Sequence, residues 1–96
     1  MLKKNKITNL SKRKKKILFK CTHRGSKELD ILLGSYVKKF IHSLTIKQLD
    51  HLDSLLSFDD IYLFSVLTKK SEIDPKMDKS LVKQIIKFNQ YINKYD

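Results

Sequence analysis

Apolar residues recur through most of the chain at steps of three and four, the spacing that lines one side of an α-helix. Five short helices follow from that pattern. Over about residues 9–22, Leu10, Ile17, Leu18 and Cys21 share one broad side, with Lys12, Lys14, Lys15, Lys16 and Lys20 around the remainder. Gly25 lies just past this segment, where a glycine can leave a helix with positive φ at little cost. The second helix covers about residues 26–43, and Leu29, Leu32, Leu33, Tyr36, Val37, Phe40 and Ile41 keep the pattern of a buried face, which Leu44 continues.

The third helix has the plainest start. Thr45-Ile46-Lys47-Gln48 fits the S/T-x-x-E/Q capping box, in which the hydroxyl and the amide each take up a free backbone N–H. Ile46, Leu49, Leu52, Leu55 and Leu56 then repeat at helical steps. Asp59 or Asp60 can cap a fourth helix whose apolar content is Ile61, Leu63, Phe64, Val66 and Leu67, closing on Lys69 and Lys70. A polar break at 71–75 leads into the fifth, where Met77, Leu81, Ile85, Phe88 and Ile92 track one face and Val82, Ile86 and Tyr95 widen it. No strand alternation or internal repeat is visible. Two Gly and one Pro are too few for a chain of hairpins. The expected fold is all-α, a small compact five-helix bundle, with residues 1–10 as a basic leader open to disorder and 11–95 as a single helical domain.

Charge sharpens this picture in one place. The 96 residues carry 21 Lys or Arg and 10 Asp or Glu, a formal net charge of +11. Residues 1–27 hold eleven of the basic groups and no acid, and residues 28–96 hold ten of each, so the excess belongs to one segment. Its dense run, Lys12-Arg13-Lys14-Lys15-Lys16, can attract a polyanion in a salt-sensitive way. It is mostly Lys, which neutralises phosphate without reading bases, and only Phe19 lies near for stacking. No apolar stretch approaches the ~20 residues that span a bilayer, and Ile17-Leu18-Phe19 is too short for a signal h-region. The acid-free start is Lys-rich rather than Arg- and Ser-rich, a poor mitochondrial presequence. A single Cys21 cannot form an internal disulfide and fits a reducing compartment.

Catalytic and metal chemistry find little support. His23, His42 and His51 show no metal-ligand spacing, and Cys21-x-His23 alone cannot close a tetrahedral zinc site. Glu28 and Asp30, two apart on a helix, point to different sides and would not share a substrate atom. Gly25 and Gly34 sit in no phosphate-binding pattern.

The stretch Arg24-Gly25-Ser26-Lys27-Glu28-Leu29-Asp30 joins the first two helices. A joint with a C′ glycine and an acid in the first turn of the next helix accounts for Gly25 and Glu28. It leaves Arg24 unexplained. A cation beside a helix N-terminus is misplaced unless it pairs with Glu28 or Asp30, or points at a partner; chemistry alone leaves these open.

This stretch resembles the RGxxELD signature of the succinate dehydrogenase FAD assembly factor family. Leu55-Leu56-x-x-Asp59-Asp60-x-x-Leu63-Phe64 is similar to the same family's LL-x-x-DD-x-x-LF segment, in the same order and spacing, and the likeness covers about residues 15–93. Two positions depart from it: Val66 where the family often has Trp, and Ser71 where a Gly is common.

The resemblance implies a small five-helix protein that is not an enzyme. It would bind the flavoprotein subunit of succinate dehydrogenase, or of fumarate reductase in some bacteria, and promote covalent attachment of FAD to a His of that subunit. Arg24, Gly25 and Glu28 would form the contact surface, with Asp30 beside them and no catalytic or metal-binding residue, and Asp59 and Asp60 would cap the fourth helix rather than touch the partner. Close backbone approach at Gly25 would exclude a larger side chain. No cofactor is expected on this chain, which has neither a dinucleotide fold nor a spare pocket; the FAD belongs to the partner flavoprotein. The expected chain is a monomer when free, inserts in no membrane, binds no specific nucleic acid, and belongs in the bacterial cytoplasm rather than the mitochondrial matrix. The alternative reading is a small basic helical nucleic-acid-binding module.

Overall fold

The computed structural model describes residues 10–93. It holds five α-helices: α1 (Lys12–Thr22), α2 (Lys27–Phe40), α3 (Ile46–Leu56), α4 (Asp60–Leu67) and α5 (Lys79–Asn93), with one 3-10 turn at Ile41–Ser43 after α2. The all-α fold read from the sequence holds. The leader at 1–9 and the Tyr95 position lie outside the described residues.

Each helix begins where a side-chain oxygen can take a free N–H. Ser11 Oγ accepts from Lys14 N, so α1 starts at residue 12 rather than 9, and Leu10 is buried ahead of it. Ser26 accepts from Leu29 N to begin α2. Thr45 and Gln48 form the expected capping box at α3, each side chain bonding the other's backbone N–H. Of the acidic pair, Asp59 is the cap of α4, accepting from Tyr62 N at 2.9 Å, and Asp60 is left free for other work. Asp78 accepts from Leu81 N ahead of α5, so Met77 lies before that helix, yet it is still buried.

Helix α2 is the centre of the bundle and packs against α1, α4 and α5, while α3 touches α1 and α5. Leu29, Leu33 and Val37 of α2 are fully covered, as are Ile17 and Cys21 of α1, Leu52 of α3, Leu63 of α4, and Val82 and Ile85 of α5. At Gly34 the two helices meet closely: a Cβ there would lie 3.0 Å from Thr22 Cγ2. Phe88 of α5 meets Tyr36 and Phe40 of α2 edge-to-face, and Tyr36 donates to Gln84 Oε1 at 2.8 Å. Asn89, on the inner side of α5, is buried but donates to Leu32 O and Ile85 O.

Two apolar assignments are corrected. Ile46 belongs to the helical apolar run of α3 and Ile61 to the apolar content of α4, yet they are 73% and 82% exposed. Both stand at the first or second residue of their helices on the outward side, whereas Leu49 and Leu63, in the same first turns, are buried.

Among the described residues, the basic run of α1 is partly spent inside the fold. Arg13 bonds Asp50 and Asp53 of α3, the latter at 2.9 Å, and Lys14 Nζ donates to His42 O. Those carboxylates push the Arg13 guanidinium further toward its charged form. Cys21 is sealed in the core, and burial pushes its thiol up to about 12.

Candidate functional site

The α1–α2 joint is built from both sides by carboxylates. Asp30, one turn into α2, reaches back so that its Oδ1 accepts the Arg24 backbone N–H at 2.6 Å. Asp60, the first residue of α4, accepts the Gly25 N–H on Oδ2 at 2.9 Å. Two consecutive loop amides are thereby fixed by two acids from different helices. The remaining connection is Ser26, which caps α2 and donates to Glu28 Oε1 at 3.1 Å.

Arg24 reaches in neither direction that the sequence left open. Its side chain is only 14% exposed, and Nε and Nη2 lie 2.8 and 2.7 Å from Asp60 Oδ1. Nη1 donates to Leu56 O and Nη2 to Phe58 O, each at 2.9 Å. Leu56 ends α3, so its carbonyl has no partner within its own helix. The guanidinium therefore meets the negative end of the α3 dipole and a carboxylate together. The apparent misfit of a cation near the start of α2 disappears, because the charge is delivered to the end of α3. Arg24 and the Gly25 N–H in turn hold the Asp60 carboxyl below its ordinary value of 3.8.

Gly25 is also corrected. No glycine among the described residues has positive φ, so Gly25 is not retained for a left-handed exit. A Cβ there would meet Asp60 Oδ2 at 3.0 Å. What the position requires is room for a carboxylate against the backbone. The left-handed residue of the described chain is instead Lys69, at φ 66°. It follows α4 with its N–H bonded to Val66 O, and the Lys70 N–H bonded to Ser65 O, which is the paired bonding of a Schellman turn.

Of the four residues singled out in the sequence, Gly25 and Glu28 face solvent, whereas Arg24 and Asp30 are half-buried and engaged internally. Glu28 keeps its carboxylate on the surface with Ser26 as its hydrogen-bond partner. Exposed apolar groups on α1, α2 and α4 are not part of the sequence reading of the site. Ile31, one turn beyond Glu28, is 57% exposed, and Ile61, next to Asp60, is 82% exposed. Phe19 stacks on His23 at 3.9 Å between ring centroids and is also largely exposed. The part played by Asp60 was missed too. The acidic pair gave the one available signal, since a helix takes one cap and the second acid needs another purpose.

Among the described residues no group of His, Cys, Asp and Glu is placed to hold a metal ion, and no helix is long and apolar enough to cross a membrane. The expectation of no spare concavity needs amending. An open groove of about 700 Å³ runs between the end of α4 and α5, and a second of about 430 Å³ lies against the Tyr36–Phe88 cluster.

Comparison with known proteins gives a consistent result. Residues 15–89 match the family described as flavinator of succinate dehydrogenase. Over 81 residues the chain is 35% identical to a mitochondrial succinate dehydrogenase assembly factor 2 of Dictyostelium discoideum, covering 84% of this chain and 57% of that protein. Over 78 residues it is 32% identical to the protein of the same name from Meyerozyma guilliermondii, covering 81% and 58%. It is also 35% identical over 74 residues to the FAD assembly factor SdhE of Wigglesworthia glossinidia brevipalpis, covering 77% of this chain and 87% of that one. The chain thus spans somewhat over half the length of the two mitochondrial relatives. No solved structure matches it.

Proposed function

The chain belongs to the flavinator of succinate dehydrogenase family, and from that premise we propose that it is an assembly factor for the flavoprotein subunit. It binds that subunit, of succinate dehydrogenase or a related fumarate reductase, and promotes covalent attachment of FAD. The chain is not itself an enzyme. The flavin is held by the partner, and the bond forms between the partner's own His and its FAD.

The observation that carries this reading is the division of labour at the α1–α2 joint. Arg24, Asp30 and Asp60 are spent internally on holding the loop, while Gly25 and Glu28 are held outward on it. A loop ordered before the encounter loses little entropy on binding, so more of the contact energy appears as affinity. The exposed Glu28 carboxylate supplies an oriented charge, and Ile31 and Ile61 supply apolar contact beside it. Mechanistically the factor acts by population shift. It binds best to the flavoprotein conformation in which flavin and acceptor His meet, and so raises the share of molecules in that state.

In the same reading the free chain is a monomer in the bacterial cytoplasm and binds no specific nucleic acid. The partial engagement of Arg13 and Lys14 within the fold supports that last point.

The test is capture of the flavoprotein by the chain, with in-gel flavin fluorescence to score covalent FAD. Gly25→Arg drives a long side chain into the space beside Asp60, and Glu28→Ala removes the exposed acid. Both should lower capture and flavinylation. Unchanged capture and flavinylation in both variants would sink the proposal.

A further inference from the structure

The groove between the end of α4 and α5 is charged in one sense. Lys79, Lys83 and Lys87 stand along α5 at four-residue steps, and Lys69 faces them from the turn after α4. All four are exposed, and none forms an ion pair among the described residues. Like charges one turn apart oppose helix formation, so this row is held against its own repulsion. Glu72 is the acid on the groove wall, which leaves a clear positive excess. The floor is apolar: Val66 is buried, and Ile73 and Ile86 are half-covered.

We propose that this groove receives an acidic segment of the flavoprotein partner that also carries apolar side chains, as a second contact beside the Gly25–Glu28 surface. The inference rests on the assembly-factor reading. Carboxylates of the segment would lie against the lysine row, and its apolar residues would cover Val66, Ile73 and Ile86. A bilayer does not fit, since the apolar atoms are recessed and a flat surface cannot enter a concave floor. A single-stranded nucleic acid does not fit either, because among the described residues no aromatic side chain lines the groove for base stacking. The two contacts lie at opposite ends of α4: Asp60 begins the helix and Val66 lies near its end, roughly 10 Å along at 1.5 Å per residue. One protein surface can reach both. A charged second contact of this kind acts chiefly on the association rate and on salt dependence.

The decisive experiment measures binding of the full chain to the purified flavoprotein at low and moderate salt. Lys83→Glu/Lys87→Glu is compared with Lys39→Glu/Lys47→Glu, which changes net charge equally at exposed positions outside the groove. The groove variant should bind about tenfold more weakly at low salt, with the loss mainly in the association rate and reduced at higher salt. Helix content by circular dichroism should match the parent in both variants. Lys83→Gln/Lys87→Gln, without added negative charge, should show a smaller loss in the same direction. If the parent binds and the groove and control variants weaken equally, or neither weakens, the groove proposal is overturned while the assembly-factor reading stands. If the parent itself does not bind the flavoprotein, the assembly-factor reading fails first.

Discussion

Arg24 and Asp60, 36 residues apart in the chain, meet at 2.7–2.8 Å and close the corner where α1, α2, α3 and α4 come together. One carboxylate oxygen takes the guanidinium and the other takes the Gly25 N–H. Replacing Asp60 by Ala therefore strands a mostly buried cation and a loop amide at once. The expected cost is about 2 kcal/mol, read from urea unfolding at neutral pH. Asp60→Asn keeps the shape but not the charge and should fall between the two. A loss below about 0.5 kcal/mol for Asp60→Ala would show that the bond contributes little.

The same carboxyl sets a pH dependence. Its pKa in the folded chain lies below the ordinary 3.8, so its stabilising effect is fully present above that value. As pH falls from about 4 toward the folded-state pKa, the native state must take up a proton it resists, and that contribution is lost. The gap in urea midpoint between the parent and Asp60→Asn should be widest at neutral pH and should narrow below pH 4. A gap that stays constant down to pH 3 contradicts the assignment.

Lys69 holds a left-handed backbone that an L side chain adopts at a cost. Lys69→Gly should stabilise the chain by about 1 kcal/mol and raise its melting temperature by about 5 °C. Lys69→Val, branched at Cβ, should do the reverse. Because Lys69 also lines the α4–α5 groove, the stabilised variant should bind the flavoprotein somewhat less well at low salt.

The capping box at α3 predicts a graded series. Thr45→Ala leaves the Gln48 N–H without its 3.2 Å bond and should cost about 1 kcal/mol. Thr45→Ser should be nearly neutral. Equal stability of all three chains by chemical denaturation would mean that solvent satisfies the first turn unaided.

Cys21 is fully covered, and its thiol is pushed up to about 12, so almost no thiolate forms near pH 8. A thiol reagent should leave the native chain unlabelled for as long as it stays folded. Labelling should become fast in urea, with a midpoint matching loss of helical signal. Rapid labelling of the native protein at pH 8 would contradict the buried position.

The helices were legible in the sequence because their apolar spacing is local and each start carries its own capping oxygen. Thr45–Gln48 is the clearest instance, since a three-residue offset contains the whole interaction. Leu10 matches the buried side of the first helix even though Ser11 is the cap, so apolar spacing alone places that start too early. Met77 likewise matches the face of α5 from a position before Asp78. At the site, Arg24, Gly25, Glu28 and Asp30 stand out as a short run, but the inward turn of Arg24 and the fixing of the Gly25 N–H depend on residues more than thirty positions away. Nothing local indicates that Arg24 would meet Leu56 O and Phe58 O, or that Gly25 makes room for a side-chain oxygen of α4.

Asp60 lies behind the surface that would meet a partner, yet it sets the posture of that surface. A genetic screen for lost flavinylation would therefore return position 60 together with positions 25 and 28. Of these three positions, protection mapping of the bound complex would outline only the last two. The inheritable footprint of the interaction would exceed its physical one, and the difference between the two maps would trace the brace that holds the joint.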